Sequence, residues 1–325
     1  MRLVLCAFDL VIGALAFMAP NLTRRELLFA VPVPPDFRRN QAARDAIASY
    51  RTAIVAVVLG TVAVLLFSPA PYLDATAAMA PFAILLVGGF AFYRQNRKLA
   101  PAAVQFARPR EAELTVAPEE LPRFAWLAAG PFAILGAAAE YLRLNWSRIP
   151  LWFPVHWGAN GRPNRWAERT TKGVYGPLFF GTEICAWLLI MALAGWLGSR
   201  RSRSRPVMLG IMITAEYLVG VLFALISVQP VLGMPVWIVA LAPLAIIIPL
   251  VIVAIKKLSE TAGPMDPTPN ECWKGAIFYY NPNDSALFVE KREGWGYTFN
   301  FANRWSWVLL AGLALVIASA PFVLA

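Results

Sequence analysis

The only histidine of the chain, His156, lies in a segment rich in Trp and Pro at residues 151–172, LWFPVHWGANGRPNRWAERTTK. An imidazole can donate or accept hydrogen bonds and can exchange a proton near neutral pH. Arginines follow it closely, and guanidinium groups suit a carboxylate or another anion. The pattern predicts a loop that caps a peptide or another anionic ligand. The ligand-binding candidates are His156, Trp157, Asn160, Gly161, Arg162, Asn164, Arg165 and Trp166.

The same segment also fits a structural role at the membrane surface. Trp152, Trp157 and Trp166 are amphipathic rings of the kind that collects in the lipid headgroup layer. Proline stiffens the backbone, glycine permits turns, and asparagine side chains bond to nearby backbone groups. Under this alternative the loop anchors on the bilayer, and His156 makes a structural hydrogen bond. Both interpretations are open at the level of sequence.

The run PVHWGANGRPNRW resembles the extracytoplasmic signature of a bacterial membrane-protein domain of unknown function, which also occurs in SdpI-type immunity proteins. Their pattern is similar to P-x-H-W-N-x-x-G-x-x-x-x-W, and the chain has Gly158 where that pattern has Asn. The resemblance implies immunity to a membrane-active peptide toxin and, in some members, sequestration of a transcription repressor. The positions that match are Pro154, His156, Trp157, Gly161 and Trp166.

A second segment, residues 273–303, resembles an uncharacterised module found together with the first. It contains FYYNPND and GWGYTFNFA, and its short aromatic runs alternate as strands do. We expect a three-stranded meander on the cytoplasmic side of the membrane. Asn281, Asn283 and Asp284 offer oxygen atoms that a calcium ion could use, but turn formation is the far commoner use of such residues.

Acidic side chains inside apolar runs mark a second candidate site. At 1.5 Å per residue, Glu183 and Glu216 each lie roughly 14 Å from one end of a predicted span, near the bilayer midplane. A lone acid there costs on the order of 3 kcal/mol, so it needs a partner or a wet cavity. Two hypotheses remain open, a proton or cation pathway and a pair of neutral acids that hold helices together. The intramembrane carboxylates are Asp9, Glu140, Glu183 and Glu216.

The elements that position these residues are membrane spans. Of the 325 residues, 59% are hydrophobic and only 15% are charged, whereas soluble domains have about a quarter charged. Runs of roughly 17 to 25 apolar residues are long enough to cross the hydrocarbon core. We expect eight spans, at residues 3–20, 52–67, 76–93, 124–142, 174–197, 207–228, 231–255 and 305–324.

The distribution of basic residues predicts the orientation. Most of the 29 Lys and Arg residues fall in loops on one side of the predicted spans. The positive-inside rule places that side in the cytoplasm and both termini, with the His156 loop, outside. We therefore expect a bacterial cytoplasmic membrane protein. Because the charge follows topology and does not gather on one soluble face, nucleic acid is excluded as a partner.

The predicted fold is an all-α polytopic membrane protein with a small cytoplasmic β meander. Residues 1–142 form a four-span part with cytoplasmic loops at 21–51 and 94–123, and residues 143–173 form the outer loop. Residues 174–258 form a three-span part, residues 259–304 a linker with the β module, and residues 305–325 a last helix.

The three scattered cysteines and the single histidine provide no recognisable metal motif, and no cofactor or catalytic motif is present. An enzyme is disfavoured for that reason. We expect an SdpI-like sensor or immunity protein that binds an extracellular peptide or lipid-linked ligand. A proton-coupled transporter and an accessory subunit in a complex with another membrane protein are the alternatives. In each case the lipid bilayer surrounds most of the chain.

Overall fold

The computed structural model describes residues 2–21, 27–104, 120–199, 205–235, 237–239, 241, 249, 253, 268–275, 277–291 and 296–324. Within these ranges the chain is mainly helical, with short antiparallel strand pairs. The α-helices are α1 (Arg2–Met18), α2 (Gln41–Phe67), α3 (Leu73–Leu99), α4 (Gly130–Leu144), α5 (Thr171–Gly198), α6 (Arg205–Leu232) and α7 (Arg304–Leu324). The strands are β1 (Leu27–Leu28), β2 (Val31–Pro32), β3 (Trp152–Trp157), β4 (Pro163–Glu168), β5 (Trp273–Lys274), β6 (Phe278–Tyr279), β7 (Phe288–Glu290) and β8 (Tyr297–Phe299).

Seven helical segments among the described residues are long and apolar enough to cross a membrane. They correspond to α1 through α7, together with the short 3-10 helices that adjoin α1, α3 and α4. This content is consistent with a multi-pass membrane protein and agrees with seven of the expected spans. The expected span at 231–255 lies largely outside the described residues.

Helix α2 is longer than the sequence suggested. The sequence predicted a cytoplasmic loop at 21–51 and a span at 52–67, but α2 runs without a break from Gln41 to Phe67. Its buried positions follow one stripe at spacings of three and four residues, as a helix with one packed face requires. The stripe consists of Ala43, Ala46, Tyr50, Ile54, Val58, Thr61 and Leu65.

The helices pack as two groups. Helix α2 lies against both α1 and α3, and Gly13 of α1 lets that helix approach Val58 of α2. The second group contains α4, α5 and α6, with α7 packed on α5. The sequence placed α4 with the first three helices, but its packing partners are α5 and α6. Small residues at the contact allow this, since a Cβ at Gly220 of α6 would lie 3.0 Å from Pro131 of α4.

Pro131 lies within the predicted span at 124–142, and a proline in the middle of a helix would kink it. Pro131 is the second residue of α4 and follows a 3-10 helix at Arg123–Ala129. At this position proline lacks only a donor that has no helical partner, so it begins the α-helix without interrupting it.

The two ends of α5 carry the β structure of the second group. Strands β3 and β4 form a hairpin, here called the outer hairpin, directly before α5. The strands β5 to β8, here called the strand module, meet the other end of α5, where the Leu287 N–H donates to the Gly198 carbonyl at 2.7 Å. One end of α5 therefore bears the hairpin, and the other bears the module.

The strand module differs from the expected three-stranded meander. Its described strands form two antiparallel pairs, β5 with β6 and β7 with β8, and a single bridge joins Tyr279 to Asn300. The reason lies in the side chains between them. The amide of Asn300 bonds to the backbone of Asn281 and Asp284, and so takes hydrogen bonds that a continuous third strand would have used.

Candidate functional site at the outer hairpin

The outer hairpin is a twisted pair of strands with a tight tip. Phe153 is buried and packs with Val155 and Ala167 on the core of the second helix group. At the tip, the Gly158 N–H donates to the Arg162 carbonyl at 2.9 Å, and Gly161 adopts a φ of +79°. Only glycine occupies that region without strain, so this position explains one match to the signature.

A register irregularity lies at His156. The pairing is regular through Pro154 and Trp166 and then shifts on either side of the histidine, which is paired with Arg165. Bulges of this kind re-aim a side chain, and they occur often near functional sites. The Nδ1–H of the exposed His156 ring donates to Asn164 Oδ1 at 2.5 Å. This bond orients the ring and leaves Nε2 as the other hydrogen-bonding atom.

The hydrogen bonds continue to a residue that the sequence analysis did not select. The Nδ2–H of Asn164 donates to Asp74 Oδ2 at 3.4 Å, and the Ala159 N–H donates to Asp74 Oδ1 at 2.5 Å. Asp74 is the second residue of α3, in the other helix group. We call His156, Asn164 and Asp74 the polar relay. It connects the outer hairpin to the first helix group.

Gly158 makes room for this contact. A Cβ at that position would lie 3.1 Å from Asp74 Oδ2 and 3.2 Å from Asn160 Oδ1. The departure from the Asn of the resembling pattern therefore stands beside Ala159, at the contact between the hairpin and α3. A sequence signal for Asp74 did exist, because it is an acid in the short loop between the predicted spans at 52–67 and 76–93, which has no basic residue. The hydrogen bond between Asp74 and Asn164 could not be predicted, because the two residues are 90 positions apart in sequence.

The remaining candidates surround the polar relay. Asn160 Oδ1 accepts from the Arg162 N–H at 2.8 Å, so this side chain shapes the turn. Arg162 and Arg165 are exposed, and Trp157 is partly buried. Trp152 and Trp166 are 62% and 54% exposed. The hairpin thus presents cations, an oriented imidazole and large amphipathic rings together at one end of the protein.

Arg169 differs from the neighbouring arginines. Its guanidinium donates to the Ile149 carbonyl at 2.9 Å, with longer contacts to the carbonyls of Trp146 and Ser147. The side chain therefore fastens the base of the hairpin to the 3-10 turn before it. The sequence had grouped Arg169 with the cations that attract an anionic partner, and the structure gives it this additional role.

The two acids predicted to lie near the midplane, Glu183 and Glu216, have different surroundings. Glu183 is partly buried, and the Ser319 hydroxyl of α7 donates to its Oε2 at 2.6 Å. Glu216 is fully buried within the stripe that α6 packs against its neighbours. Neither carboxylate oxygen of Glu216 has a hydrogen-bond partner among the described residues. The hydroxyls of Thr182 and Thr214, which are close to these acids in sequence, donate to carbonyls of their own helices.

The other two acids are separate from this pair. Asp9 of α1 is 2% exposed and interacts with the Thr61 side chain of α2, so it belongs to the first helix group. Glu140 is exposed near the end of α4 and forms an ion pair with Arg143, with Oε1 and Nη2 2.6 Å apart.

Among the described residues, no group of three or more His, Cys, Asp or Glu side chains could hold a metal ion. The oxygen atoms of the NPND turn are used locally. Asn281 Oδ1 accepts from the Asn283 N–H, and Asp284 Oδ1 accepts from the Ala286 N–H. These are the turn contacts that the sequence favoured over a calcium site.

The comparisons with known proteins concern the strand module. A family of unknown function (DUF5808) matches residues 282–307, from Pro282 in the module to the first turn of α7. No curated protein and no solved structure matches the chain. The resemblance of the outer hairpin to SdpI-type proteins thus remains a prediction carried by its own residues.

Proposed function

We propose that this chain is a multi-pass protein of the bacterial cytoplasmic membrane that binds an extracellular peptide or lipid-linked ligand at the outer hairpin. The observation that supports this most is the polar relay, in which a charged residue of one helix group orients an exposed imidazole of the other through Asn164. A purely anchoring loop has no need of such an oriented group. A ligand bound at His156 would therefore contact a hydrogen-bond network that joins both helix groups.

The chemistry of the hairpin suggests the class of ligand. His156 Nε2 can exchange a hydrogen bond with an amide or hydroxyl of a ligand. Arg162 and Arg165 can bind a carboxylate or phosphate. Trp152 and Trp166 supply apolar surface beside these groups, and such rings favour the lipid interface. A membrane-active peptide or a lipid-linked precursor presents all of these features.

The orientation that goes with this function has eight spans, with the termini and outer hairpin outside and the strand module in the cytoplasm. Single-cysteine labelling tests it in a variant without Cys6, Cys185 and Cys272. An impermeant maleimide added to intact cells should label Arg162→Cys and not Asn283→Cys. Labelling of both from outside, or of Asn283→Cys alone, contradicts the orientation.

The ligand-binding proposal is tested by protection of living cells. Cells that produce the chain are challenged with a panel of membrane-active peptides, and survival is compared with that of cells lacking it. His156→Ala and Asn164→Ala should each abolish protection, whereas Glu168→Gln, an exposed change on the same hairpin, should leave it intact. Protection that persists in both alanine variants, or is absent with the unaltered chain, counts against this function.

A proton-coupled transporter is a second candidate, supported by Glu216. A fully buried acid without a hydrogen-bond partner among the described residues is costly, and acids in such positions commonly mark proton or ion pathways. In liposomes that contain a pH-sensitive dye, Glu216→Gln should stop proton flux under an imposed pH gradient. Glu140→Gln, a change at an exposed ion pair, should not. Equal flux in the unaltered chain and in empty liposomes eliminates this candidate.

A further inference from the structure

A cavity of about 200 Å³ lies at the module end of the second helix group. The last two turns of α5 and the first two turns of α6 form two of its walls, and strands β7 and β8 cover it. It is remote from the outer hairpin, because that hairpin precedes the other end of α5. We call it the α5–α6 cavity.

The lining of the cavity is apolar and adaptable. Its walls include Met191, Met208 and Met212 from the helices, and Phe288 and Phe299 from the strands. Methionine has an unbranched, flexible side chain, and it adapts to ligands of irregular shape. Such walls suit a flexible hydrocarbon better than a rigid polar molecule.

The volume restricts the ligand further. An apolar cavity of about 150 Å³ in other proteins stays dry and accepts a molecule of the size of benzene. Pockets for drug-sized ligands are larger, about 300 Å³ or more. A volume of about 200 Å³ therefore fits a segment of one acyl chain and not a whole lipid.

A cation lies at the same cavity. Arg205, at the first turn of α6, is 7% exposed, and its guanidinium carbon lies 4.6 Å from the centroid of the Trp196 ring. The preceding sequence contains Arg200, Arg201 and Arg203. Basic pockets between membrane helices recognise anionic lipid headgroups, and arginine matches the geometry of phosphate. Charge and apolar lining thus point to one amphipathic molecule.

We propose that the α5–α6 cavity binds an acyl chain of an anionic phospholipid, whose phosphate lies beside Arg205. This site is separate from the ligand site at the outer hairpin and does not depend on it. The bound lipid would join α5, α6 and the strand module at the membrane surface.

The sharpest variant fills the cavity from Gly195. A Cβ at this position meets no atom within 4 Å, so Gly195→Leu adds a side chain where space is open. Gly136→Leu is the matched control, because its added Cβ also meets nothing and Gly136 lies on α4, outside the cavity lining. Both changes replace a helical glycine with the same residue, so their effects on helix propensity match.

The measurement uses the purified full chain in detergent with dioleoyl phosphatidylglycerol as the probe, dioleoyl phosphatidylcholine as the neutral comparison and oleate as the free fatty acid. Native mass spectrometry counts the lipids retained per chain. The unaltered chain and Gly136→Leu should retain one phosphatidylglycerol. Gly195→Leu should bind it about tenfold more weakly, and Arg205→Gln should lose the preference over phosphatidylcholine.

A second measurement tests the site without the Arg205→Gln variant, so it does not depend on whether that variant folds. Phosphatidylglycerol with brominated acyl chains should quench the fluorescence of Trp196 in the unaltered chain. The decrease in fluorescence caused by the brominated lipid should be absent in Trp196→Phe and in Gly195→Leu. Equal retention by Gly195→Leu and Gly136→Leu overturns the site, and equal retention of phosphatidylcholine or oleate overturns the assignment to an anionic phospholipid.

Discussion

The outer hairpin and the strand module both use asparagine at a junction, but they use it in opposite ways. Asn300 of the module is fully buried, and its side chain bonds to the backbone of Asn281, Asp284 and Ala302. Asn164 of the hairpin is exposed, and among the described residues its side chain bonds to other side chains, those of His156 and Asp74.

This difference separates a structural network from one with capacity for a ligand. When every donor and acceptor of a buried amide is used, the amide specifies its own local fold. When an exposed amide connects an imidazole to a carboxylate, solvent-facing atoms of the network stay accessible to another molecule. The comparison predicts that changes in the module reduce stability, whereas changes in the hairpin alter local motion and binding.

The largest effect is expected for Asn300→Ala. It leaves several partly buried backbone groups of the module without their Asn300 partner, and we expect a loss of about 3 kcal/mol in the local free energy of unfolding. Hydrogen–deuterium exchange of peptides from residues 277–303, in nanodiscs, measures it. Asn283→Ala, a change at an exposed turn residue, is the control. Equal exchange in the two variants would remove the distinction between the regions.

The next effect is that of Asp74→Ala on the hairpin. Removal of the carboxylate takes the acceptor from the Ala159 N–H, and such charge-assisted bonds at exposed sites contribute about 1 kcal/mol. We expect exchange in residues 156–164 to accelerate and the melting temperature to stay close to its original value. Glu168→Ala is the control on the same hairpin. A large fall in melting temperature with Asp74→Ala would make the polar relay structural, like Asn300.

A smaller effect is expected for Gly158→Ala. The added methyl group would lie 3.1 Å from Asp74 Oδ2, so the tip of the hairpin must move by a few tenths of an ångström. We expect a cost below about 1 kcal/mol, confined to exchange at the tip. Gly136→Ala, where nothing meets the added methyl, should leave hairpin exchange unchanged. Unchanged hydrogen exchange at the hairpin tip in Gly158→Ala would show that there is room for a methyl group between the tip and Asp74.

The smallest expected effect is a loss of stability of the strand module at alkaline pH, caused by ionisation of Tyr279. Burial raises the pKa of the Tyr279 hydroxyl above its usual range, with hydrogen bonds from Asn281 and to Asp284 as further influences. Because the folded module favours the protonated form, its stability is full below about pH 10 and falls as the pH rises through the shifted pKa.

Tyrosinate absorbance, as the difference between the unaltered chain and Tyr279→Phe, follows this titration. The difference signal should titrate above the range of an exposed tyrosine, and exchange in the module should rise over the same range. A difference signal that titrates like that of an exposed tyrosine would mean that the strand module opens to solvent.

The membrane helices were predictable because their signal is local. A run of apolar residues of sufficient length identifies a span from composition alone, as for α5 and α6. The hairpin segment was also identifiable, since its Trp, Pro, Gly and His residues are neighbours in sequence. Its strand pairing was missed, because Pro154 and Pro163 argue against strands and the pairing depends on contacts with the helices below.

The sequence by itself determined which segments are long and apolar enough to cross a membrane and which short segments carry polar chemistry, because both follow from nearest neighbours along the chain. Only the tertiary structure decided which polar groups meet. Helix packing brings together residues that are far apart in sequence, so Asp74 bonds to Asn164 and Ser319 bonds to Glu183. The same packing leaves the Glu216 carboxylate buried without a hydrogen-bond partner among the described residues. Apolar periodicity specifies that a helix has a buried face, but the partner of that face depends on how all the helices fit together.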